Sequence, residues 1–298
     1  MIRLLSTLLL LLALSPLAFG ERQCLPDGAG APEVWLTNYP PFRVIGNLYS
    51  VGGADLGVYL LTSPEGHILI NTGLEGSTSD ITSNIEALGF KLEDVEILLV
   101  MQAHFDHAAA LAEIKEISGA KLWATKSDAP ILEDGGISDP HFGECTDLRF
   151  APIEVDRELQ HGDLIELGGM KITTHLHPGH TEGSSSYSFV HNEADHQYNV
   201  VIANMGSINS GKKLLAEPTY PGVADDFAIT YKRQLALPVD VWVAAHASQY
   251  KRDSKYKPGQ AYAADTFVDP EGFAAEVKRL REIYRQQLEE EEQSLLTE

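Results

Sequence analysis

Positive charge is scarce in this chain. Only 22 Lys and Arg stand against 43 Asp and Glu over 298 residues, a formal net charge of -21. So acidic a surface repels phosphate backbones and anionic headgroups, which argues against a nucleic-acid or membrane-surface role. Cysteine is nearly absent. Cys24 and Cys145 lack metal-ligand spacing and are too few for a disulfide scaffold. In an exported chain they either pair or stay separate thiols, and the sequence leaves both open. There is no internal linker, low-complexity block or nucleic-acid motif. Long apolar runs are missing too, with one exception at residues 8–14. Arg3 precedes that run and Ala18-Phe19-Gly20 follows it, the pattern of a secretory signal peptide too short to span a bilayer. No cysteine follows the cleavage signal directly, so no lipid anchor is expected. Residues 1–20 are thus read as a signal peptide and 21–298 as a single domain, exported to the periplasm, soluble, without a membrane anchor and monomeric. A hydrophobic content of 44% suits a well-filled core.

What is present is histidine, eleven in all. Gln102-Ala103-His104-Phe105-Asp106-His107 places two imidazoles and a carboxylate within four residues. It follows the apolar strand-like run 95–101 and precedes an alanine-rich helical run. A strand ending in such a turn aims its ligands at one spot, and imidazole with carboxylate suits a borderline divalent ion such as zinc. Asp106 could instead cap the following helix, but the flanking histidines favour a metal site. His180, in His177-Pro178-Gly179-His180-Thr181, and His246, after the buried-type strand 239–244, complete the candidate set. His67, His191 and His196 fall in hairpin or loop contexts that suit solvated histidines, and His141 and His161 read as surface residues. Of His175 and His177, one is a candidate to line the site.

Periodicity predicts strands at 42–45, 48–51, 58–62 and 67–71, a helix over 79–88 stopped by Gly89, and a helix ending at Gly119. Further strands are expected at 121–125, 164–167, 170–176, 185–191 and 198–203. Short helices are expected at 127–133 and about 224–236, with a long loop over 134–150 and an irregular arm over 21–40. From Pro270 onward, Phe273, Val277, Leu280, Tyr284 and Leu288 mark an amphipathic helix whose acidic end, 289–292, reads as a fraying solvated face. Strands and helices alternate in two halves, each ending strands at histidines. The fold class expected is α/β: two β-sheets packed face to face with helices on the outer faces and the metal at the sheet edge.

Asn71-Thr72-Gly73, His104-x-Asp106-His107, Pro178-Gly179-His180-Thr181 and His246 occur in the order and spacing of the metallo-β-lactamase superfamily, whose fold is an αβ/βα sandwich. With Ala203-Asn204-Met205-Gly206-Ser207-Ile208-Asn209 and Tyr220-Pro221, the chain resembles subclass B3 over nearly all of the mature sequence. Gln102 stands where the family commonly has His, as in the GOB-type branch, and Asn71 where most of the superfamily has Asp. The resemblance implies one zinc set of Gln102, His104 and His180 and a second of Asp106, His107 and His246. A neutral amide oxygen is a weaker zinc ligand than imidazole, so the second set is expected to fill first, with one or two Zn2+ per chain. Gln102 as a hydrogen-bonding neighbour of the metal is the competing role. The implied activity is opening of the β-lactam amide of penicillins, cephalosporins and carbapenems, which confers antibiotic resistance. Zinc would lower the pKa of its water from about 15.7 towards about 7. Asp106 would both ligate metal and orient that water, while Ser207 and Asn209 would contact the small-molecule β-lactam, or merely shape a turn. Trp35, Tyr39 and Phe142 are candidate cleft walls, or core. The alternatives are another zinc hydrolase of the same fold, a lactonase or thioesterase, or a weakly active zinc-binding protein.

Overall fold

A computed structural model describes Cys24 and residues 31–297. The expected signal peptide lies outside the described residues. Among the described residues, twelve strands form two sheets. The first begins as an antiparallel meander of β1 (Phe42–Ile45), β2 (Leu48–Ser50), β3 (Tyr59–Ser63) and β4 (Gly66–Ile70), then continues in parallel through β5 (Val95–Leu99), β6 (Lys121–Thr125) and β7 (Arg157–Leu159). The second comprises β8 (Leu164–Leu167), β9 (Met170–Leu176), β10 (Ser185–Glu193) and β11 (His196–Ala203), all antiparallel, with β12 (Val241–Ala244) parallel to β11. The helices are α1 (Glu33–Leu36), α2 (Thr78–Ala87), α3 (Phe105–Ala108), α4 (Leu111–Ser118), α5 (Ala129–Glu133), α6 (Val223–Ala236), α7 (Arg252–Lys255) and α8 (Pro270–Thr297).

Alternation along the strands makes this a layered sandwich. Leu61, Ile68, Ile70, Ile97 and Leu99 share a core with Ile165, Ile172, Tyr187, Val200 and Ile202 of the second sheet. Their neighbours Leu60, Leu69 and Leu98 point the other way, under Ile81 and Ile85 of α2 and Leu111 and Ile114 of α4. Successive side chains of a strand face opposite sides, so strands covered on both faces read as continuous apolar runs. On the far side Phe227 and Tyr231 of α6 pack with Phe273, Val277, Leu280 and Tyr284 of α8. The expected two-sheet α/β architecture is the one observed. None of the helices among the described residues is long and apolar enough to cross a membrane.

The differences from the sequence pattern are local. The arm expected to be irregular carries α1, and β7 was not expected. The acidic end of α8 is not a frayed face: the helix runs to Thr297, and Glu291 accepts hydrogen bonds from the backbone N–H groups of Leu214 and Leu215 and from Gln287 Nε2. A carboxylate that satisfies orphan backbone donors of a neighbouring loop cannot be told from a solvated one by charge pattern alone. His67 and His141 are buried rather than solvated, His67 against the ring of Phe90 and His141 against that of Phe142. Cys24 and Cys145 form a disulfide with a Cα–Cα distance of 5.4 Å, tying the N-terminal arm to the 134–150 loop.

The bridge spans 121 residues of sequence, so its loss relaxes a long loop in the unfolded chain. Cys145→Ser should therefore lower unfolding free energy by about 2–4 kcal/mol in denaturant titration. A change below about 0.5 kcal/mol would mean that the bridge constrains little beyond the arm.

Candidate metal centre

Five strand ends converge on one edge of the sandwich. β4 runs into Asn71, β5 into Gln102, β9 into His177, β11 into Asn204 and β12 into His246. Asn71 takes a left-handed backbone (φ 63°), a conformation that Asn tolerates better than most side chains. Its Oδ1 accepts the N–H of Met101 at 2.9 Å, and its Nδ2 donates to Gly57 O at 3.1 Å. The carbonyl of Met101 accepts Ser185 N and Asn204 Nδ2 at 2.8 and 2.9 Å. The backbone just before Gln102 is thereby clamped between the two sheets.

Past that clamp the chain turns into α3 with His104 at the N-cap, and neither His104 nor Asp106 caps the helix through its side chain. Asp106 instead faces two imidazoles. Its Oδ2 lies 3.1 Å from His107 Nε2 and 3.4 Å from His246 Nε2. The ligand atoms of Asp106, His107 and His246 all fall within 4.8 Å of one another. The two shorter separations match the edge, about 3.3 Å, of a tetrahedron with metal–ligand bonds of about 2.0 Å. The donor set therefore fits zinc.

Each imidazole is held from behind, which leaves one ring nitrogen for the centre. His246 Nδ1 sits 3.0 Å from Asp55 Oδ2, and Asp55 also takes the indole N–H of Trp35 and the backbone N–H of Ser248. His107 Nδ1 lies 3.4 Å from Asn71 Nδ2. His180 Nδ1 is 2.7 Å from the carbonyl of Ser207, and Lys212 Nζ donates to His180 O at 2.9 Å. His104 Nε2 lies 3.2 Å from Asp139 Oδ2. The rings of His104 and His180 meet edge to face at 4.9 Å. Gln102 is buried, and its Oε1 has no hydrogen-bond partner. An orphaned buried carbonyl at the base of this turn suits a cation as its missing partner.

Burial alone would raise the pKa of Asp106, but His107 and His246 outweigh it and hold the carboxyl well below its usual range. His246 is pushed up to about 9: burial opposes charge, and Asp106 and Asp55 overcome it. His180 and His107 are pushed down by burial.

Of the six residues expected as metal ligands, Asp106, His107 and His246 converge at ligand spacing and the rings of His104 and His180 meet, while Gln102 is buried two residues before His104. His177 is not among them. It is buried with Nδ1 on Ser186 Oγ at 2.7 Å, on the β9–β10 side of the sheet. Ser207 stands behind His180, through its carbonyl and with its Oγ 3.2 Å from the same nitrogen. Asn209 closes a turn through its carbonyl to Lys212 N, while its Nδ2 is buried without a partner. Trp35 (5.5 Å from the His246 ring) and Phe142 (5.0 Å from that of His104) flank opposite ends. Tyr39 does not: it is covered by the Arg252 guanidinium at 3.5 Å and packs on Phe42.

Sequence reading missed Asp55, Asp128, Asp139 and Lys212. Asp128 looks like an N-cap for α5, yet it makes no cap bond. It accepts Ala103 N, Thr181 Oγ1 and Gly183 N, each at 2.9 Å, and so joins the turn of His104 to the loop of His180. Burial raises it to about 6. Gly183 permits this approach, since a Cβ there would lie 2.3 Å from Thr125 Oγ1. Nothing in local pattern marks these residues, because their partners are distant in sequence.

A family model for the metallo-beta-lactamase superfamily matches residues 58–193. A beta-lactamase from Chitinophaga pinensis superposes with a TM-score of 0.85 at 43% identity, covering 89% of this chain and 100% of that one. The metallo-beta-lactamase GOB-18 from Elizabethkingia meningoseptica gives 0.85 at 39% identity, with 88% and 96% covered. The class B3 di-zinc enzyme LRA-12 from an Alaskan soil metagenome gives 0.83 at 45% identity, with 87% and 98% covered. Among curated relatives, a hydroxyacylglutathione hydrolase of Bradyrhizobium sp. is 28% identical over 180 residues, 58% of this chain and 59% of its own length.

Because His246 without metal stays protonated below about pH 9, a metal must displace that proton. Zinc uptake at pH 7 should release about one proton, and affinity should climb as pH rises towards 9. Calorimetric titration in buffers of different ionisation enthalpy reads this directly. An enthalpy independent of buffer would mean that His246 is already neutral.

Proposed function

The chain belongs to the metallo-β-lactamase superfamily, and we propose that it is an exported zinc β-lactamase of the subclass B3 kind that opens penicillins, cephalosporins and carbapenems. The observation that carries the reading is the convergence of Asp106, His107 and His246 at ligand spacing, in a chain 43% identical to a β-lactamase along that protein's full length. Secretion through residues 1–20, action as a periplasmic monomer and antibiotic resistance belong to the same reading.

Asp106, His107 and His246 hold one zinc ion, and Gln102, His104 and His180 hold a second with lower affinity. Zinc supplies a Lewis acid and a water whose pKa falls towards about 7. The protein does the rest. With Oδ2 of Asp106 turned to His107 and His246, Oδ1 is left to orient the attacking water. Asp55 fixes the ring of His246, and the Ser207 carbonyl fixes that of His180. Asn209 Nδ2, a buried donor without a protein partner, offers a hydrogen bond to the substrate carboxylate, with Ser207 Oγ beside it. The rings of Trp35 and Phe142 line the two ends of the cleft. The indole N–H is already committed to Asp55, so Trp35 presents only its apolar surface.

A second reading has one observation in its favour, the likeness of over half the chain to a hydroxyacylglutathione hydrolase. The same donors would then serve a thioester, or, in a further variant, a lactone.

Purified protein should hydrolyse a chromogenic cephalosporin and a carbapenem in a chelator-sensitive manner as zinc is titrated. Absence of turnover at any zinc level, with activity on a thioester or lactone, would sink the β-lactam assignment. Asp106→Ala should lower kcat/KM by at least about 10³-fold, since several kcal/mol of metal and water positioning is lost, with circular dichroism unchanged. Near-normal activity would refute its role. Gln102→His should raise zinc occupancy of the first set, read by metal counting; unchanged occupancy would make Gln102 a hydrogen-bonding neighbour only.

A further inference from the structure

The two donor sets are unequally charged. Asp106 belongs to the second set, and Asp55 stands behind its His246. The first set, Gln102, His104 and His180, contains no charge of its own. Behind His180 stand only neutral groups, the carbonyl and the hydroxyl of Ser207. Among the described residues, the carboxylate in contact with a member of this set is that of Asp139, 3.2 Å from His104 Nε2.

We propose that Asp139 is the positioning residue that lets the first donor set, built on a neutral amide, hold a metal ion. This rests on the reading that the set takes zinc. The two oxygens of Asp139 have separate tasks. Oδ1 accepts the backbone N–H groups of His141 and Phe142 at 2.7 and 3.0 Å, which shapes the 134–150 loop. Oδ2 faces the imidazole at ion-pair distance, although the ring N–H is not aligned on it as a hydrogen bond, and both side chains are nearly inaccessible, at 5% and 3%. A carboxylate can only accept, so it keeps the proton on Nε2 and leaves the Nδ1 lone pair for a metal. It also lends the set a negative charge that Gln102 cannot supply.

The loop is built to deliver this carboxylate. Gly143 N returns to Asp139 O at 2.9 Å, and a Cβ at Gly143 would lie 2.3 Å from Ile137 O, so the tight turn admits only glycine. Phe142 lays its ring against His104, and Cys145 fastens the loop to the N-terminal arm.

Asp139→Asn is the sharp test. Its amide can keep an oxygen on the two backbone N–H groups while turning a donor towards Nε2, which favours the tautomer with hydrogen on Nδ1. Zinc and cobalt(II) titrations against a competing chelator should give two bound ions in the unaltered protein. In Asp139→Asn the weaker site should lose about 10–100-fold in affinity, with the tighter site unchanged. Asp139→Glu should recover part of the loss, and Phe142→Ala, which loosens the loop but spares the carboxylate, should keep both sites. Two sites of unaltered affinity in Asp139→Asn would overturn the proposal. So would a single site in the unaltered protein at saturating metal, or an equal loss in Phe142→Ala. Should Asp139→Asn not fold, nitrogen NMR of the metal-free unaltered protein decides: an Nε2-protonated His104 supports the proposal and an Nδ1-protonated one overturns it. If two ions bind but no β-lactam turns over, the substrate reading fails and the assignment of Asp139 stands.

Discussion

Four imidazoles and a carboxylate sit at the seam of two packed sheets, and the rest of the architecture follows from what it takes to keep them there. Buried polar groups are tolerated only when partnered. Here each imidazole is gripped on its outer side: His246 by Asp55, His180 by the Ser207 carbonyl, His104 by Asp139, and His107 beside Asn71. The free edges then point at one another. Without a cation, that leaves His246 charged and Asp106 strongly acidic, an arrangement with positive and negative groups held for exchange with a metal.

The clamp on Met101 joins this chemistry to the fold. Asn71 from the first sheet, and Ser185 and Asn204 from the second, all bond its backbone. Asp128 repeats the device one residue beyond Gln102, linking Ala103 to the loop after His180. Sheet packing, driven by the apolar residues shared between the layers, is thus converted into ligand placement through a few backbone hydrogen bonds of fixed length. A site assembled on strand ends inherits the rigidity of the strands.

How much of this was legible in the sequence can be judged residue by residue. His104, Asp106 and His107 announce themselves because they are adjacent, and His180 and His246 because each ends a strand-like run. The two-sheet architecture follows from apolar runs of strand length alternating with helical periodicity. Asp55, Asp128 and Asp139 are invisible by the same logic. Asp55 and Asp139 lie in loops with no pattern and Asp128 at a helix start where it reads as a cap, and each finds its partner between 25 and 191 residues away. Glu291 was misread for a related reason: within a run of four glutamates, only the neighbouring loop at Leu214 and Leu215 singles one out.

The sequence alone determined the ligand types, their order and the kind of fold that brings strand ends together, because those rest on local chemistry and on periodicity. Tertiary structure decided which nitrogen of each imidazole is left free, which carboxylates stand behind them, that Cys24 meets Cys145, and that Ser207 supports His180 through its carbonyl. These depend on distances between segments far apart in the chain, and no one-dimensional pattern encodes such distances.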